Sequence, residues 1–113
     1  MIVDDHLIAL EGLAALLKAS EEFELVAALR SGQEALDEFD KHRPDVTIMD
    51  LRLGDMSGIE VIRKIKERRP QSRFVVMTTC DGDENVYRAF EAGAAGYLLK
   101  DSLRHEWVTS IRH

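Results

Sequence analysis

Residues Asp45–Gly58 read DVTIMDLRLGDMSG. The run Val46, Thr47, Ile48, Met49 stops at a carboxylate, Asp50, and Gly58 then leads into Ile59, Ile62 and Ile65 at helical spacing. A short run that is apolar on consecutive positions suits a strand covered on both faces, which places it in a parallel sheet. The helical pattern after Gly58 supplies the crossover that such a sheet requires. The question left by the stretch is why the strand ends in an aspartate. A capping role for the next element and a chemical role both fit the residue type.

Outward from this stretch the same alternation repeats. Upstream, Met1–Val3 is a short apolar run ended by Asp4 and Asp5, and Leu7, Leu10, Leu13, Ala14, Leu16 and Leu17 follow at helical spacing. Phe23, Leu25, Val26 and Leu29 predict a second strand, after which Ser31-Gly32 opens a polar helix with Ala35, Leu36 and Phe39 on one face, closed by Pro44. Downstream, Phe74, Val75, Val76 and Met77 form a buried-type run bounded by Pro70 and Thr78. Val86, Ala89, Phe90 and Gly93 then make a helical stripe, Tyr97–Leu99 a fifth strand, and Ser102 starts a last helix through Leu103, Trp107 and Ile111. Five strands alternating with five helices predict a doubly wound α/β domain: a parallel sheet of order 2-1-3-4-5 with helices on both faces, flavodoxin-like in topology.

The bulk numbers agree with one such domain. The chain has 113 residues, 45% of them hydrophobic and 32% charged, which is enough to bury a core without metal or disulfide staples. A net charge of -6 argues against direct nucleic-acid binding and suits a site that gathers divalent cations. The single cysteine, Cys80, offers neither a disulfide nor a zinc-ligand spacing, so a reducing, cytoplasmic setting is expected. No apolar stretch approaches the roughly 20 residues that span a bilayer, so no membrane partner is expected.

In a doubly wound sheet, ligands bind beyond the carboxyl ends of the strands, near the point where strand order reverses. Those ends carry Asp4-Asp5, Asp50, Thr78-Thr79 and Lys100. Singly, each has an ordinary structural use: aspartates cap helices, threonines fill strands, and Lys100-Asp101 suits a solvated turn. Together they make a specific chemical set. Two like charges about 5 Å apart at an effective dielectric near 20 repel by about 3 kcal/mol, so three crowded carboxylates call for a proton or a hard cation, for which magnesium is the candidate. Thr78 and Lys100 would hold oxygens of a tetrahedral anion, and an ionised Asp50 is a competent nucleophile on phosphorus.

With these residues in this order, the chain resembles the receiver domain of two-component response regulators over essentially its whole length. The resembling motifs are Asp4-Asp5, Asp50, Thr78-Thr79 and GAAGYLLKD from Gly93 to Asp101; the wording IVDDH and GYLLKD is most similar to receivers that carry a LuxR-type helix-turn-helix domain. The resemblance implies that Asp50 accepts a phosphoryl group from a sensor histidine kinase or a small phosphodonor. It implies Mg2+ held by Asp5 directly, by Asp4 mainly through water, by Asp50, and by the backbone carbonyl of Arg52. Thr78 and Lys100 would contact the phosphoryl group, and Thr78 and Tyr97 would move together as the switch. The domain would promote its own phosphotransfer and autodephosphorylation without being a turnover enzyme. DNA would be contacted through an output domain outside this chain, and a second copy is a further candidate partner.

The resemblance has departures. Three residues precede the acidic pair, as if the first strand were trimmed, Gly54 stands where relatives commonly have proline, and no linker follows His113. Other residues have plain uses: His6 as a loop residue rather than a zinc ligand, Cys80 as a small filler, Arg52 as a solvated side chain, and Trp107 packed on the sheet. Arg63, Lys64, Lys66, Arg68 and Arg69 read as the solvent face of a helix. Two alternatives remain: a haloacid dehalogenase-like phosphatase, whose second aspartate two residues after the first is missing here, and a receiver-shaped module that is not phosphorylated.

Overall fold

The computed structural model describes residues 1–78 and 84–99. In chain order its elements are β1 (Ile2–Val3), α1 (Leu7–Ala19), β2 (Ala28–Leu29), α2 (Gly32–His42), β3 (Thr47–Asp50), α3 (Gly58–Arg68), β4 (Phe74–Thr78), α4 (Glu84–Ala92) and β5 (Gly96–Leu99). The five strands form one sheet in the order β2-β1-β3-β4-β5, every neighbouring pair parallel. This is the expected topology, and it puts the ends of β1 and β3 side by side. The expected fifth helix, from Ser102, lies outside the described residues, as do Thr79, Cys80, Lys100 and Trp107.

The consecutive apolar residues of the central strands serve two cores at once, because successive side chains of a strand point to opposite faces. Met49, Phe74 and Val76 join Phe39, Ile59, Ile62 and Ile65 on the face covered by α2 and α3. Ile48, Val75 and Met77 join Leu10, Leu13 and Leu17 on the face covered by α1. Phe39 of α2 stacks on Phe74 of β4, ring centroids 6.1 Å apart. The side chain of Asp50, in phase with Ile48, belongs to the α1 face, where no apolar partner suits it.

Two expectations are corrected in detail. The second strand is confined to Ala28–Leu29, because β1 offers just two residues to pair with, Ile2 opposite Ala28 and Val3 opposite Leu29. Phe23 and Leu25 pack instead as half-buried residues against the α1 core. Gly93 belongs to the end of α4 and not to its apolar stripe: its φ is 117°, and the N–H of Ala94 donates to the Ala89 carbonyl at 3.0 Å. That pattern is the Schellman ending, which favours glycine.

α2 is opened by Ser31, whose hydroxyl accepts from the Glu34 N–H, and α3 by Ser57, whose hydroxyl accepts from the Ile59 N–H. Among the described residues, no helix is long and apolar enough to cross a membrane.

Candidate functional site

Hydrogen bonding at the carboxyl edge of the sheet brings Asp4 and Asp50 together, since Ile2 and Val3 lie in register with Ile48 and Met49. Asp4 is 0% and Asp50 3% exposed. On the opposite face from the carboxylate, α3 begins directly against the backbone of Asp50 and Leu51. Gly58, the first residue of α3, donates its N–H to the Leu51 carbonyl at 3.0 Å. A Cβ at this position would run into the Asp50 carbonyl and Leu51 Cα, so the close approach requires glycine.

Asp50 Oδ1 accepts from the Arg52 N–H at 3.3 Å, a bond from the strand end to the loop that follows it. Asp4 Oδ1 accepts from the His6 N–H at 2.9 Å. Asp5 stands at the mouth, its side chain 32% exposed.

Sequence reasoning missed His6 as part of this group. Its backbone occupies the N-cap position of α1, yet its side chain caps nothing. The ring instead turns into the carboxylates: Nδ1 lies 3.2 Å from Asp4 Oδ1, 3.1 Å from Asp5 Oδ1 and 3.7 Å from Asp50 Oδ2. The available signal was its place immediately after the acidic pair at a helix start, where an Asp-held N–H fixes the direction of the side chain. When protonated, the imidazole offsets part of the mutual repulsion of three carboxylates.

One ligand atom from each of Asp4, Asp5, His6 and Asp50 lies within 4.8 Å of every other. Oxygens facing each other across a hard cation at about 2.1 Å each are about 4.2 Å apart, so this cluster is of the right size to close on one ion. Its oxygen-dominated donor set suits a hard divalent cation over a soft one. Thr78 ends β4 beside this cluster, with its backbone paired to Leu99. Its side chain and all of Lys100 lie outside the described residues. Tyr97 is half-buried on β5, its ring edge-on to Phe90 at 6.2 Å.

The family model for the response regulator receiver domain matches residues 1–112. The chain belongs to this family. The receiver domain is 37% identical, over 99% of its length, to the transcriptional regulatory protein YdfI of Bacillus subtilis, and 40% identical over 98% to the DNA-binding transcriptional activator DevR/DosR of Mycobacterium tuberculosis. It spans about half the length of these relatives, 54% and 51%.

Among solved structures, it superposes on the receiver domain of the response regulator NarL from Mycobacterium tuberculosis with a TM-score of 0.90, at 33% identity. That match covers 98% of this chain and 90% of the other. A LuxR-family two-component response regulator from Aurantimonas sp. matches with a TM-score of 0.92 at 36% identity, covering 99% and 80%. The receiver assignment displaces the haloacid dehalogenase-like alternative and sets the chain among the receiver domains of two-component response regulators.

Proposed function

We propose that this receiver domain is a phosphorylation switch whose acceptor is Asp50. The observation that carries the reading is the position of that carboxylate, nearly fully buried at the end of the central strand within one cluster with Asp4 and Asp5. An Asp50 carboxylate oxygen attacks phosphorus of a phosphohistidine on a sensor histidine kinase. The new bond is O–P, the P–N bond breaks, and its electron pair leaves with the imidazole, which takes up a proton. The product is an aspartyl phosphate.

Asp4, Asp5, Asp50 and the Arg52 carbonyl would hold Mg2+. Bound there, magnesium neutralises charge on the phosphoryl oxygens, the main contribution a protein makes to phosphoryl transfer. Thr78 and Lys100 hold the remaining phosphoryl oxygens, and hydrolysis of the acyl phosphate, in which water attacks and phosphate leaves, resets the switch.

The added charge shifts Thr78 toward the phosphoryl group and Tyr97 inward, away from its edge contact with Phe90, which alters the surface of α4 and β5. The chain is then the receiver part of a longer cytoplasmic regulator, whose output domain contacts DNA. A homodimer through the altered surface is one way to transmit the change.

Incubation with acetyl phosphate and magnesium, followed by a phosphate-affinity gel, tests the reading. Wild type is expected to shift and Asp50→Asn to run unshifted. An unshifted wild type, the behaviour of a receiver-shaped module that is not phosphorylated, overturns it, and so does an Asp50→Asn variant that shifts as much.

A further inference from the structure

The segment between β3 and α3 is closed at its base and anchored at its tip. At the base, the Gly58 N–H meets the Leu51 carbonyl at 3.0 Å, and Arg52 and Ser57 form an isolated antiparallel bridge. At the tip, Asp55 reaches out of its own loop to a different element. Its Oδ1 accepts from the Gly32 N–H and its Oδ2 from the Gln33 N–H, both at 2.9 Å.

Those N–H groups open α2 and have no acceptor within the helix. The next one, of Glu34, is taken by the Ser31 hydroxyl at 3.1 Å. A carboxylate at a helix N-terminus has the favourable sign for the helix dipole, and both bonds are charge-assisted. They hold the Asp55 carboxyl below the usual carboxylate range. The packing leaves no slack here, because a Cβ on Gly32 would run into the side chains of Met56 and Val61.

Between base and tip lies Gly54, the residue type with the fewest backbone restrictions. It faces the acidic cluster: a Cβ on it would stand 3.5 Å from Asp5 Oδ2. A loop carrying such a residue needs its position fixed from outside, and Asp55 is the neighbouring residue that does so. Resting on the reading of the Arg52 carbonyl as a magnesium ligand, we infer that Asp55 is a positioning residue, whose carboxylate clamps the β3–α3 loop onto the first turn of α2 and so presents that carbonyl to the metal.

Isothermal titration of the 113-residue chain with Mg2+ tests this. Asp55→Ala is expected to weaken magnesium binding about tenfold, the usual scale for losing a group that orients a metal ligand, and Asp55→Asn, which keeps one acceptor oxygen, to fall between. Ser31→Ala removes a cap from the same helix without touching the loop, so it is expected to bind magnesium as wild type does. Hydrogen exchange of the peptide 51–57, measured without metal, is expected to quicken in Asp55→Ala and not in Ser31→Ala.

Equal losses in the two alanine variants, or an Asp55→Ala that binds magnesium like wild type, overturn the inference. A wild type that binds no magnesium refutes the metal reading separately. The exchange measurement then decides the clamp alone, and unchanged loop exchange in Asp55→Ala overturns it.

Discussion

At the scale of the residue, Asp50 combines burial with the company of two other carboxylates, and like charges held that close repel one another. Replacing it by asparagine keeps an oxygen for the Arg52 N–H and removes one of the three charges. Asp50→Asn is therefore expected to raise stability without divalent metal by about 1 kcal/mol, a fraction of the Coulomb cost of one close pair once His6 and solvent screening are allowed for. Urea denaturation with and without magnesium measures it. Magnesium should stabilise wild type and leave the variant nearly unchanged, and a variant less stable than metal-free wild type would contradict the expectation.

The acidic residues of the site were legible from their places at strand ends, because a carboxylate terminating an apolar run is a local anomaly. His6 was not, since one histidine in a polar stretch has no periodicity to betray it, and its role depends on where Asp4 holds its backbone N–H.

At the scale of the element, the helix starts and stops were written locally, in Ser31 and Ser57 before α2 and α3 and in Gly93 after α4. Gly93 shows how firmly such a stop is set. At a φ of 117° any side chain is strained, while the nearest neighbour of an added Cβ, the Lys66 Cε at 3.0 Å, is the flexible end of a side chain that can move aside. Gly93→Ala is accordingly expected to cost about 1–2 kcal/mol through backbone strain, read as a lower urea midpoint with an unchanged denaturant slope. A cost near zero would mean that α4 ends in some other conformation.

The extent of β2 was not legible. Phe23, Leu25 and Val26 have the composition of a strand, but a strand exists only as long as its neighbour supplies hydrogen-bonding groups, and β1 supplies two residues. The Asp55 clamp was hidden for a related reason, because an aspartate in a loop gives no sign of which distant helix start it will meet.

At the scale of the whole molecule, folding buries the terminal ammonium of this chain, where Met1 N donates to the Val46 carbonyl at 3.0 Å. Burial is the larger effect and lowers its pKa from 8.0 to about 6, against the attraction of Asp45. Between those values the unfolded chain binds more protons than the folded one, so stability rises with pH from 6 to 8. Two units correspond to about 3 kcal/mol. Urea midpoints across that range, compared with an N-terminally acetylated chain that lacks the charge, check it: the slope should be confined to the free amine, and equal slopes in both would refute the assignment.

The sequence by itself determined the alternation of strands and helices, the parallel sheet with both faces covered, and the polar residues that end its strands. All of these follow from burial periodicity and residue type, which act over a few positions. Tertiary structure alone decided that Asp4, Asp5, His6 and Asp50 converge within 4.8 Å, that α3 starts in contact with Asp50, and that Asp55 ties the loop between them to α2. The cluster joins Asp50 to the start of the chain, and the clamp joins Asp55 to Gly32 and Gln33, 23 and 22 positions away, so both depend on how the elements pack and not on local pattern.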